Sequence, residues 1–157
     1  MGRYTYLRRV GMDEAVRDVE LQVAMLLRLA DRNRRSNVRL DRTLERSAYL
    51  ALLRLAEVGP LAINEIAEHL RLDASTVTRQ VLAMESAGYV SRGRDDADAR
   101  RSVIAMTPAG RAALDGTREA RASVYAELLA DWDDAERRVL ADALARLNDS
   151  LDRGIGR

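Results

Sequence analysis

Between residues 61 and 107 the spacing of hydrophobic and polar positions changes period. Ile63, Ile66, Ala67 and Leu70 recur at three- and four-residue steps, the signature of one apolar helix face, with Glu65, Glu68 and His69 on the other side. Arg71-Leu72-Asp73 reads as a turn, and the Asp73 side chain is placed to accept from the free amides of a following helix. In that second helix Val77, Val81 and Met84 mark the buried face and Leu82 flanks it. Ser75, Thr76, Thr78, Arg79 and Gln80 face outward or sideways near its N-terminal end. Ala87-Gly88 ends the helix, with Gly88 suited to left-handed backbone. Residues 89–92 and 102–106 then read as strands rich in β-branched side chains. The stretch 93–101 between them alternates charge, holds no apolar core residue, and reads as an exposed loop. Helix, tight turn, helix and charged hairpin are the parts of a winged helix-turn-helix, with residues 43–107 as its extent.

Longer apolar stripes flank this region. Residues 12–32 carry Val16, Val19, Val23, Leu26, Leu27 and Ala30 on one side of a predicted helix, and residues 43–57 form another. Residues 108–130 form a third, with Pro108 in its first turn. Residues 133–152 form a fourth, started by a capping arrangement of Asp133 and Glu136, with Trp132 as a hydrophobic staple. Residues 1–11, including the run RYTYLRR, read as a flexible tail; a DNA-binding arm is the alternative. The predicted fold class is mostly α with a small β-hairpin wing, as one domain over residues 1–157. Such apolar helices outnumber what a small winged helix needs.

The arrangement itself points to nucleic acid. A tight turn between two short helices places the second where it enters a DNA major groove. The start of that helix presents free amides and a positive dipole to phosphate. The basic hairpin reaches the flanking minor groove or the backbone. Net charge is only +1, so the distribution carries the weight: residues 1–110 hold 18 Arg against 15 acids, and residues 111–157 hold 8 Arg against 10. Positive potential is therefore local to the wing and recognition helix. All 26 basic residues are Arg; Lys and Phe are absent, which we read as base-composition bias, although Arg suits bidentate contacts to phosphate and guanine.

Composition narrows the alternatives. With no Cys there is neither a disulfide nor a thiol switch, and one His with no Cys argues against a zinc site built from those ligands; no cofactor is expected. No apolar run approaches the roughly 18 residues of a membrane span, and Arg3, Arg8 and Arg9 lack the apolar stretch of a secretory signal behind them. A cytoplasmic protein is expected. No nucleophile–base pair or Gly-rich phosphate loop appears, so an enzyme is disfavoured. His69 reads as a solvated helix residue, with a pH sensor as the alternative.

At this point the chain resembles the MarR (multiple-antibiotic-resistance-regulator) family of bacterial transcription factors. Asp98-Ala99-Arg100 matches the family's D-x-R in the wing, and Thr107-Pro108-Ala109-Gly110 matches its T-x-x-G at the expected distance. Residues 75–79 match its recognition helix, and Leu44-Glu45-Arg46-Ser47-Ala48-Tyr49 resembles a stretch common ahead of the helix-turn-helix. The similarity spans roughly residues 12–152. Ala62 departs from the pattern, standing where relatives often carry Ser or Thr as an N-cap and leaving Glu65 as half a capping box.

The resemblance implies a homodimer interlocked by helices at 12–36 and 108–152, presenting two recognition helices to a pseudo-palindromic operator. It implies DNA contacts from Ser75, Thr76, Thr78, Arg79 and Gln80 in the recognition helix. In the wing it implies contacts from Arg100 and, among its neighbours, Arg92, Arg94 and Arg101, with Asp98 orienting an Arg. Family members often bind a small aromatic or anionic effector, and Arg28, Ser47, Tyr49 and Arg54 lie in helices that line such a crevice. Double-stranded DNA is the expected partner and repression the expected role. The alternatives are a ligand-independent architectural DNA-binding protein and a winged-helix protein-interaction module that has lost DNA binding.

Overall fold

The structure, a computed structural model, describes residues 14–40, 43–95 and 97–154. The expected tail at 1–11 lies outside these. The chain divides into two compact units, Met1–Arg42 and Thr43–Arg157. In the first, helix α1 spans Glu14–Ser36, and a single 3-10 turn follows at Val38–Leu40. The helix ends at Ser36, the last residue of the expected 12–36 span, and the Asn37 amide still reaches the Asn33 carbonyl at 3.0 Å. Val16, Val19, Leu26 and Leu27 of the predicted stripe are each more than half exposed.

The second unit is built around the winged helix. Helices α2 (Arg46–Val58), α3 (Ile63–Leu70) and α4 (Ala74–Ser86) precede an antiparallel hairpin of β1 (Val90–Arg94) and β2 (Ser102–Met106), and α5 (Pro108–Leu128) and α6 (Asp134–Gly154) follow. The register pairs Val90 with Met106 and Arg92 with Ile104. Leu61 adds a short third rung, exchanging bonds with Ile104 at 3.1 and 2.8 Å, so the wing is stitched to the chain just before α3.

The core follows the predicted faces. Leu52 of α2, Ile66 of α3, Val77 and Val81 of α4, Ile104 of β2 and Leu114 of α5 are all fully buried. Truncating one of these larger side chains to Ala would cost about 2–5 kcal/mol through lost burial and the cavity left behind.

Several boundaries differ from the sequence reading. Helix α2 begins at Arg46 rather than 43, because tertiary bonds hold the residues before it. Leu44 is buried, its amide donates to the buried Thr117 hydroxyl at 3.1 Å, and its carbonyl accepts from the Arg121 guanidinium at 3.1 Å. Helix α5 stops at Leu128, two residues early, where Arg137 reaches back to the Leu129 carbonyl at 2.9 Å. That bond also corrects the expected staple. A staple pairs the residue before the N-cap with the fourth helical residue; here that residue is Arg137, and Trp132 is 41% exposed. The capping of α6 is reciprocal as predicted: Glu136 amide to Asp133 and Asp133 amide to Glu136, both at 2.8 Å. Strand β1 runs two residues further than expected, to Arg94.

Candidate nucleic-acid interface

Helix α4, the candidate recognition helix, is started by Asp73. Its carboxylate accepts the Thr76 amide at 2.8 Å, the Thr76 hydroxyl at 2.6 Å and the Ser75 hydroxyl at short range. Those two hydroxyls, and after them the amide, hold the Asp73 carboxyl well below the usual carboxylate range. Its negative charge also sits at the positive end of the helix dipole. The other helix end closes in a Schellman pattern: Gly88 adopts φ +74° and its amide meets Glu85, while the Tyr89 amide reaches back to Met84 at 2.9 Å.

The candidate residues on α4 separate into classes. Arg79 is exposed, with only a 3.5 Å bond to the Thr76 hydroxyl. Ser75 and Thr76 have their hydroxyl protons on Asp73, and Thr78 donates back to the Ala74 carbonyl at 2.7 Å. Ser75 is exposed and Thr76 and Thr78 are half-buried, and with their protons engaged all three offer acceptor lone pairs. Gln80 points less outward than expected: it is half-buried, and its Oε1 is buried without a hydrogen-bond partner among the described residues. Leu82 is exposed.

In the wing, charge is distributed unevenly. Arg92 pairs with Glu85 of α4 at 3.1 Å. Arg94 donates to the Ala99 carbonyl at 2.6 Å and has no carboxylate partner among the described residues. Arg101 pairs with Asp95 at 3.2 Å and with Glu65 of α3. Asp98, expected to orient an Arg, accepts the Arg100 amide at 2.9 Å, a contact made to the backbone. The Arg100 side chain is exposed and has no partner among the described residues. Asp95 accepts the amides of Ala97 and Asp98 at 2.8 and 3.2 Å, and these, aided by Arg101, depress its carboxyl pKa.

The helix-turn-helix contains a residue that pattern reading misses. Arg71 takes the left-handed conformation (φ +53°) in the turn before α4, a role more often given to Gly or Asn, and ion-pairs with Asp152 of α6 at 3.2 Å. Nothing local in the sequence marks it. Glu65, read as half a capping box, does accept the Ala62 amide at 2.7 Å, and that bond, with Arg101, lowers its pKa.

The effector candidates are less gathered. Ser47, Tyr49 and Arg54 share α2, where Arg54 pairs with Glu57 at 3.5 Å and the Arg121 guanidinium lies 4.3 Å from the Tyr49 ring centroid. Arg28 is exposed on α1, in the other unit. His69 is exposed. Among the described residues no group of three or more carboxylates and histidines is placed to hold a metal ion, and no helix is long and apolar enough to cross a membrane.

Comparison with known proteins agrees with this geometry. A model of the MarR family matches residues 44–102, the stretch from the start of the core to β2. YxaD, an HTH-type transcriptional regulator of Bacillus subtilis, is 36% identical over 105 residues, covering 67% of this chain and 73% of YxaD. A MarR family protein from Bacillus stearothermophilus superposes with a TM-score of 0.67 at 26% identity, over 85% of this chain and 94% of that one. A probable transcriptional regulator from Pseudomonas aeruginosa superposes at 0.62 with 28% identity, over 82% and 98% of the two chains.

Proposed function

The chain belongs to the MarR family of DNA-binding transcriptional regulators, and from that membership we propose that it is a homodimeric repressor of a pseudo-palindromic operator. Helix α4 enters the major groove, where Arg79 donates to base edges or phosphates and the oxygens of Ser75, Thr76 and Thr78 accept from the exocyclic amines of base edges. The wing anchors the flank through Arg100. The apolar stripe of α1 supports assembly into a dimer, since Val16, Val19, Leu26 and Leu27 are more than half exposed in the single chain.

The observation that carries this reading is how the arginines are paired. Arg92 and Arg101 are neutralised by Glu85, Glu65 and Asp95. Arg79, Arg94 and Arg100 have no carboxylate partner among the described residues. Positive charge therefore stays on the exposed face of α4 and on the wing, where a chain of net charge +1 needs it. Selection of bound sequences from random DNA tests the proposal. A two-fold symmetric motif with half-sites about 10 base pairs apart is expected; enrichment of no motif would refute it.

A small aromatic or anionic effector is a second part of this reading, with Ser47, Tyr49 and Arg54 of α2 among its candidate contacts. Such a ligand relieves repression only through a difference in its affinity for the DNA-bound and free conformations.

A further inference from the structure

Arg101 follows Arg100 in the wing, yet its guanidinium is turned inward. One nitrogen reaches Asp95 at 3.2 Å, and the other pairs with Glu65 at the start of α3. The same Glu65 oxygen accepts the Ala62 amide at 2.7 Å. Ala62 has no side-chain acceptor, so Glu65 is the side chain that caps α3. Asp95, at the other end, organises the loop: it accepts the Ala97 and Asp98 amides, and its own amide donates to the Arg101 carbonyl at 2.9 Å. One guanidinium thus ties the first turn of α3 to the loop that carries Arg100. Helix α3 is in turn locked to α4 through the shared core of Ile66, Ala67, Val77 and Val81.

We propose that Arg101 is a positioning residue, with Glu65 as its anchor: together they hold the wing against α3 so that Arg100 meets DNA at a fixed place relative to α4. This rests on the DNA-reading function proposed above. An exposed ion pair contributes little to stability. A guanidinium held by two carboxylates on separate elements restricts direction instead, and a preordered wing loses less freedom on binding.

The sign of one substitution separates this role from a direct contact. Glu65→Gln keeps an oxygen for the Ala62 amide and removes the charge that holds Arg101. If Arg101 were a phosphate contact restrained by Glu65, the variant would free it and tighten binding. As a strut, the variant binds the selected operator about tenfold more weakly, roughly the loss of one contact, although a negative charge has been removed. The full-length wild type, Glu65→Gln, Arg100→Ala, Arg101→Leu and the double variant Arg100→Ala/Arg101→Leu are compared by fluorescence anisotropy across a salt series. The double variant is expected to match Arg100→Ala alone, with the salt slope falling by about one for either or both changes. Equal or tighter binding by Glu65→Gln overturns the proposal. So do independent losses that multiply, with the slope falling by about two. A wild-type chain with no sequence-selective binding refutes the proposed function itself. Wild-type selectivity together with tighter Glu65→Gln binding refutes only the strut.

Discussion

Gly110, in the first turn of α5, lies against the Tyr89 backbone so closely that a Cβ at residue 110 would collide with the Tyr89 carbonyl oxygen and stand 2.9 Å from its carbon. Thr107 completes the junction: its hydroxyl donates to the Gly88 carbonyl at 2.6 Å and accepts the Gly110 amide at 3.0 Å. The T-x-x-G spacing therefore joins the end of the recognition helix to the start of α5. Because the obstacle is backbone, it cannot swing aside. Gly110→Ala is expected to cost about 1–3 kcal/mol of stability, an overpacking loss, read as a lowered thermal midpoint. An unchanged midpoint would show that the junction opens freely.

Arg79→Ala is expected to cost about 1–3 kcal/mol of operator affinity with thermal stability intact, and to relax preference at one operator position. Anisotropy on operators substituted base by base measures both. A smaller loss, equal on every sequence, would assign Arg79 to phosphate.

Arg100→Ala is expected to weaken binding on all sequences and flatten the dependence of log affinity on log salt by about one. Titrations at four or more salt concentrations read the slope. A slope identical to the wild type would remove the wing from the interface.

Much of this was legible from spacing, and what escaped did so for physical reasons. Ile63, Ile66, Val77 and Val81 declare α3 and α4 because helix period and burial coincide there. Asp73 and the Asp133–Glu136 pair declare helix starts because capping is local, within three residues. The late start of α2 is not local: Leu44 is held by Thr117 and Arg121, far along the chain. The left-handed Arg71 carries no Gly or Asn to announce it. Arg92 and Arg101 read as free wing charges until the fold brings Glu85 and Glu65 beside them. Gln80 reads as a surface residue by composition, although the turn of α4 carries its amide oxygen inward.

Acid sensitivity follows from Asp73. The Ser75 and Thr76 hydroxyls and the Thr76 amide depress its folded pKa below an unfolded value of about 3.9. The ionised carboxylate therefore stabilises the folded chain fully above that value, and the contribution is lost as pH falls from about 4 through the folded pKa. Asp95 and Glu65 shift in the same direction. Asp73→Asn keeps a capping oxygen but does not titrate there. In melts from about pH 7 to about pH 3, the wild type is expected to stand above the variant at neutral pH and to approach it in acid. A constant gap across that range would show that the Asp73 charge is not what stabilises the helix start.

The most direct test of DNA reading is anisotropy with fragments of the DNA upstream of this protein's own gene, titrated across a salt series. Tight binding to one fragment, with two chains per site and an affinity that falls steeply with salt, is the predicted result. Equal, weak binding to every fragment, or none at low salt, would contradict a sequence-specific regulator.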